Sequence, residues 1–179
     1  MEISRRLREL WKYRELARNL VVRDLKVRYK NSVLGVAWSW LSPLLMMIVY
    51  TVFFTIFFQR EDIHPYPIFL LCGTLPWGFF TDSVMQATGS IVGNAQLIKR
   101  VYFPREVLPI SKVLSNLINF LITLPVFFIL VLILGARLSW WALLLPVTVL
   151  IQAVFTLGLA FFLATLFSIS KDLSFLIRI

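Results

Sequence analysis

This sequence has few residues suited to covalent or metal chemistry. It holds one cysteine, Cys72, so no disulfide can close within the chain, and one histidine, His64, so no His-rich metal site can be assembled. Charge is scarce: Asp, Glu, Lys and Arg make up 15% of the 179 residues, against roughly a quarter in an average soluble domain. There is no G-x-x-x-x-G-K-[ST] loop to cradle nucleotide phosphates, no H-E-x-x-H and no G-x-S-x-G. Nor is there a cluster of acidic residues fit for glycosyl transfer or two-metal catalysis. These absences speak against catalysis by the chain alone, and no cofactor is expected in it.

What is abundant is apolar. Hydrophobic residues fill 59% of the positions and aromatics 15%, which excludes a solvated disordered chain and argues against a soluble domain. Four apolar blocks stand out: Trp38 to Phe58, Ile68 to Val92, Ile110 to Leu134, and Trp140 to Phe167. About 20 helical residues cross a hydrocarbon core of roughly 30 Å. In lipid the backbone must satisfy its own hydrogen bonds, so the expected fold is all-α, a polytopic helical membrane protein. Pro76-Trp77-Gly78 is expected to break the second span before Phe79, and Pro146 to kink or start the fourth.

The net charge of +9 would suggest nucleic acid in a soluble protein, but its distribution points to a membrane instead. Ten of the 18 Lys and Arg residues lie between Arg5 and Lys30. With the N-terminus inside, Lys99, Arg100, Arg105, Lys112, Lys171 and Arg178 join them, and only Arg60 and Arg137 face out. The positive-inside rule therefore predicts a cytoplasmic N-terminus. Trp38 and Trp40 then anchor the inner interface, and Trp140 and Trp141 the outer one. No cleavable signal is expected, since thirty largely charged residues are too long for its leading region.

Residues 1–37 form a cytoplasmic segment in which Leu7, Leu10, Trp11, Leu16, Ala17, Leu20 and Val21 recur at helical spacing. This predicts an amphipathic helix lying on the membrane surface. In the second span, Asp82, Gln86, Gly89 and Gly93 follow a helical repeat and share one face. Gly89 and Gly93 also make a G-x-x-x-G, which lets helices approach closely. In the third span, Lys112, Asn116, Asn119 and Thr123 fall in a narrow arc. Both polar faces are read either as helix packing or as the border of a translocation path. The first span carries Tyr50, Phe53, Phe54, Phe57 and Phe58 at i, i+3, i+4, i+7, i+8. That stripe either faces lipid or stacks on sugar rings. Between the second and third spans, Leu97, Ile98, Tyr102 and Phe103 are interleaved with Lys99, Arg100, Arg105 and Glu106, and Pro104 and Pro109 punctuate the stretch. A plain connector has no need of such apolar residues, whereas a soluble partner could grip them.

Two motifs carry a resemblance. Arg23-Asp-Leu-Lys-Val-Arg-Tyr-Lys-Asn-Ser-Val-Leu-Gly35, followed by Trp38-Ser-Trp-Leu-Ser-Pro-Leu44, resembles the entry to the first span of ABC-type polysaccharide export permeases. Leu97-Ile-Lys-Arg-Val-Tyr-Phe-Pro-Arg-Glu-Val-Leu-Pro109 is similar to that family's cytoplasmic coupling segment. The resemblance runs from about Leu7 to the end. It implies that residues 38–179 belong to the transmembrane domain of an exporter of O-antigen, teichoic acid or capsular glycan in a bacterial cytoplasmic membrane. It implies a second copy of the permease to form the pore, a lipid-linked polysaccharide as substrate, and a separate ATPase holding ATP and magnesium. Leu97 to Glu106 would then couple to that ATPase, and the Tyr50 stripe would touch the passing glycan. No nucleic acid is involved. Such permeases have six spans, whereas this chain stops at Ile179, just as a fifth begins. A truncated product or partial chain is expected, with a non-transporting structural or regulatory protein as the alternative.

Overall fold

A computed structural model describes residues 10–30, 35–58, 66–136 and 139–169, with side chains for all of these except 55, 57, 58 and 169. Every regular element among the described residues is helical. In chain order they are α1 (Arg14–Lys30), α2 (Ala37–Phe58), α3 (Tyr66–Thr88), the short α4 (Ser90–Gly93) and α5 (Ala95–Arg100), α6 (Val107–Ile133), a 3-10 turn (Trp140–Leu144) and α7 (Leu145–Ile169). Among them α2, α3, α6 and the 3-10 turn with α7 are long and apolar enough to cross a membrane. The protein is therefore an all-α, multi-pass membrane protein.

The central helix is α3, which touches α2, α6 and α7. Its Phe79 and Ala87 join Val113 and Phe120 of α6 and Ala160 of α7 in the main apolar cluster. Phe79 and Phe120 meet with ring centroids 5.6 Å apart. Ala87 and Ala160 are fully buried; small side chains at such points let neighbouring helix backbones come close, the main source of cohesion between helices in lipid.

Three expectations are corrected. First, α3 runs unbroken through Pro76. Proline removes one hydrogen bond of the helical ladder, but a neighbouring helix can steady the backbone at such a site. The acceptor freed by Pro76 is the Cys72 carbonyl one turn back; beside it Gln152 of α7 donates its Nε2 to the Pro76 carbonyl at 2.7 Å and ties the two helices together. Second, Asp82, Gln86, Gly89 and Gly93 do not share one continuous face. The helix stops at Thr88, and Gly93 belongs to α4, whose N-cap is Gly89. A Cβ at Gly89 or Gly93 would meet no atom of another element within 4 Å, so among the described residues this G-x-x-x-G serves no close helix approach.

The third correction concerns the apolar face of α1, which does not lie open to lipid but packs along the first half of α6. Leu20 clusters with Val107 and Leu108, Asp24 pairs with Lys112, and Arg28 bonds Asn116. Partners advance by four on both helices, so the two run in the same direction and in register. The face read as lipid-directed covers protein instead. Leu10, Tyr13, Leu16 and Ala17 pack against that cluster, as do Leu97 and Ile98. Trp11 is exposed, and Leu7 lies outside the described residues. Burying an aliphatic or aromatic side chain contributes about 1.5–3 kcal/mol, so this cluster is ample reason for α1 to follow α6. Gly35, at φ +51, supplies the left-handed residue that turns the chain into α2. Pro146 stands in the first turn of α7 and starts it without a kink.

Candidate functional site

Polar bonds gather where α1 ends, α2 begins, and both meet α6. Arg28 donates from Nη2 to Asn116 Oδ1 at 2.9 Å. The Tyr29 hydroxyl donates to Asn119 Oδ1 at 2.6 Å. Ser39 of α2 donates to the same Oδ1 at 2.9 Å and lies 3.1 Å from the Tyr29 hydroxyl. Trp40 donates its indole N–H to the Ile122 carbonyl at 2.9 Å. From α3, Gln86 reaches Asn116 Oδ1 at 3.4 Å. The asparagine arc of α6 thus ties three other helices together.

Arg28, Tyr29, Ser39, Asn116 and Asn119 among these also wall a cavity of about 650 Å³. Arg28, Tyr29, Asn116 and Asn119 form its polar end, with Trp38 and Ser39 beside them. It extends along α2 past Ser42 and Met46 to Tyr50, and along α3 past Asp82 and Gly78 to Thr74. From Trp38 to Tyr50 is about 18 Å of helix, so the cavity leads from the end of the spans nearest α1 more than halfway along α2. Asn116 is 2% exposed, and its Nδ2 has no hydrogen-bond partner. Asp82 is exposed to the cavity and has no hydrogen-bond or ion-pair partner among the described residues.

The sequence-predicted residues divide into three groups. Asp82, Asn116, Asn119 and Tyr50 come together in the cavity, with Gln86 bonded to its wall. Lys112 stands apart from it, ion-paired with Asp24 at 2.8 Å. Along the aromatic stripe, Phe53 meets Phe54 edge-on at 5.5 Å, and Phe54 meets Tyr66 of α3 at 6.1 Å. The side chain of Phe57 lies outside the described residues.

The 97–106 segment forms the far end of the α1–α6 unit. Leu97 and Ile98 lean on its apolar cluster, while Lys99, Arg100, Arg105 and Glu106 are at the surface. Tyr102 and Phe103 are adjacent but opposite: Tyr102 is 93% exposed, whereas Phe103 is 6% exposed and packs in the cluster with Leu20. Pro104, half-buried, separates α5 from α6 in an extended turn.

Sequence reasoning did not assign Arg28, Tyr29 or Ser39 to a site, and it treated Trp38 as an anchor only. A signal was present: Leu20, Asp24 and Arg28 repeat at the same spacing as Leu108, Lys112 and Asn116. Opposed in register, the two rows match apolar with apolar and charge with counter-charge.

The family model described as ABC-2 type transporter matches residues 15–178. The chain belongs to the ABC-2 type transporter family. It is 41% identical over 173 residues to the O-antigen export system permease protein RfbA of Myxococcus xanthus, a match covering 97% of this chain and 66% of that protein. Its identity to an O-antigen export system permease protein RfbA of Klebsiella pneumoniae is 39% over 154 residues, covering 84% and 58%. The chain thus spans about two thirds or less of the length of these curated relatives. The match to the ABC-2 family takes in most of α1, all four long helices, the cavity and the 97–106 segment.

Proposed function

We propose that this chain is the membrane-spanning part of a permease subunit in an ATP-driven exporter of lipid-linked polysaccharide, of the O-antigen, teichoic acid or capsular type. It sits in the bacterial cytoplasmic membrane with α1 and the 97–106 segment on the cytoplasmic side. Two copies form the path, and a separate ABC ATPase supplies the energy, holding ATP and magnesium. The relatives' names support the substrate class.

The observation that carries this reading is the position of α1. At one end it is clamped to the 97–106 segment through Leu20 and Phe103; at the other it walls the cavity through Arg28 and Tyr29. A soluble partner gripping Tyr102, Lys99 and Arg100 would therefore act on the same rigid helix pair that borders the cavity. Closure of two ATPase subunits beneath two permeases would tilt the α1–α6 units and reshape the cavity mouths. This chain makes no bond itself in that process. It holds substrate and transmits movement, as befits a chain with no nucleotide-binding loop.

The test is complementation. A strain lacking its own O-antigen permease, supplied with the full-length protein and its ATPase, should recover surface polysaccharide. Failure to do so, with both proteins present in the membrane and co-purifying, would overturn the reading.

A further inference from the structure

The outward side of α1 carries a compact group of cations. Arg23, Lys26, Val27 and Lys30 stand at i, i+3, i+4 and i+7, so they share one helix face. All four are exposed, Val27 by 71%. Lys26 and Lys30 form no ion pair among the described residues. Arg23 uses one terminal nitrogen on Asp24 and Asn94, and a guanidinium has further donors. Asp24 is turned toward Lys112, so the two lysines stay uncompensated. Depth decides what surrounds this face. α1 runs in register with α6, Asp24 opposite Lys112 and Arg28 opposite Asn116. α6 has 27 residues, about 40 Å of helix against a hydrocarbon core of roughly 30 Å. The excess is about six or seven residues, and it ends at Lys112, the only charged side chain of α6. Lys112 therefore marks the edge of the core, and the last two turns of α1 lie at headgroup level.

We propose that this face is a docking surface for anionic phospholipid, with Lys26, Lys30 and Arg23 holding the headgroup phosphates and Val27 meeting the acyl chains. A phosphate supplies the counter-charge that the lysines lack. A valine turned to water gains nothing, whereas the first acyl carbons beneath a headgroup cover it. A protein with an acidic surface would satisfy the cations equally, but at this depth it would have to displace lipid. Seated in this way, α1 keeps one height in the bilayer, and with it Arg28 and Tyr29, which wall the cavity from its other side. Lipid charge then sets how firmly the α1–α6 unit is held, whatever passes through the cavity.

Local fluorescence quenching tests this. The purified full chain carries a bimane label on Val27→Cys in a Cys72→Ser background. It is placed in nanodiscs with the same lipids in both leaflets, so neither topology nor export enters the result. Brominated phosphatidylglycerol is compared with brominated phosphatidylcholine at equal mole fraction in unbrominated phosphatidylcholine. The anionic lipid is expected to be enriched at the label about fivefold, the scale of one lysine at a charged membrane surface. The enrichment should shrink at about 1 M salt. Lys26→Gln with Lys30→Gln should bring it below about twofold, with an unaltered melting temperature. Lys26→Arg with Lys30→Arg should keep it, which separates charge from any effect on folding. Equal quenching by the two lipids without these substitutions, or an enrichment that survives the glutamine pair, would overturn the proposal. So would quenching by neither lipid, which places water or protein over Val27. Loss of enrichment on adding a trace of prenyl diphosphate would assign the cations to that diphosphate, and loss on adding the ATPase would assign them to the ATPase. Either result would overturn the phospholipid site and leave the export reading standing.

Discussion

Asp24 of α1 and Lys112 of α6 face each other at 2.8 Å, with side chains 13% and 20% exposed. The pair lies between the apolar cluster of Leu20 and Leu108 and the Arg28–Asn116 bond. It is a middle rung joining the apolar base of the helix pair to the polar rim of the cavity. Arg23 adds a second cation at 3.3 Å from Asp24 and also bonds Asn94 at 3.3 Å.

Breaking that rung has a defined cost. Exposed ion pairs contribute about 0–1 kcal/mol, and loss of one partner from a buried pair costs roughly 3–5 kcal/mol. For a pair this far out of water, Asp24→Lys or Lys112→Asp should each lower stability by about 1–3 kcal/mol. The double reversal should recover at least half of the summed loss. Thermal melting of the four proteins in one detergent measures this directly. A double variant as unstable as the sum of the singles would mean the pair contributes no stability.

Neighbouring aromatics should separate folding from partner binding. Phe103 is buried on Leu20 and Val107, so Phe103→Ala opens a hole and should cost roughly 3–5 kcal/mol. Tyr102 is almost fully exposed, so Tyr102→Ala should leave the melting temperature where it was. Under the proposed function the same substitution should reduce recovery of the ATPase in a pull-down. A Tyr102→Ala protein that retains its ATPase at wild-type yield would remove Tyr102 from the docking surface.

The spans were plain in the sequence because apolar length is a strong one-dimensional signal. The first was expected from Trp38 to Phe58 and runs Ala37–Phe58; the third was expected from Ile110 and starts at Val107. Proline was the weak point. Pro76 sits inside a helix held by packing against α2, α6 and α7, and Gln152, far along the chain, ties its carbonyl to α7; packing of that kind is not written in the local sequence. The amphipathic character of α1 was legible too, but amphipathicity does not say whether lipid or protein covers the apolar side. Only the register with α6 decides that. The cavity residues of α6 were visible as an arc of asparagines, while Arg28 and Tyr29 were hidden in a run of charge whose bulk is solvated.

The aromatic stripe of α2 should split as well. Tyr50 lines the cavity, whereas Phe54 packs against Tyr66 between two spans. Under the proposed function, Tyr50→Leu in the full-length protein should slow export several-fold with little change in stability. Phe54→Leu should lower the melting temperature and leave export per inserted molecule close to normal. Initial rates of polysaccharide appearance, normalised to permease in the membrane, test both. The reverse pattern would move the path away from Tyr50.

Topology is the prediction on which the others depend, and charge alone makes it. Sixteen of the 18 basic residues fall on one side if the N-terminus is inside. Moving basic segments outward is opposed during insertion, so this asymmetry predicts the orientation. Single cysteines at Ile63 and Arg105, in a Cys72→Ser background, should report it. Arg105 is exposed at the surface, so a cysteine there is accessible to reagent from its own side of the membrane. An impermeant maleimide added to intact spheroplasts should label the Ile63 site and spare the Arg105 site. Permeabilised cells should show both labelled, which rules out a buried thiol as the reason for protection. Labelling of the Arg105 site in intact spheroplasts would invert the whole arrangement. The 97–106 segment would then face away from any cytoplasmic ATPase, and the coupling role proposed for α1 would fall with it.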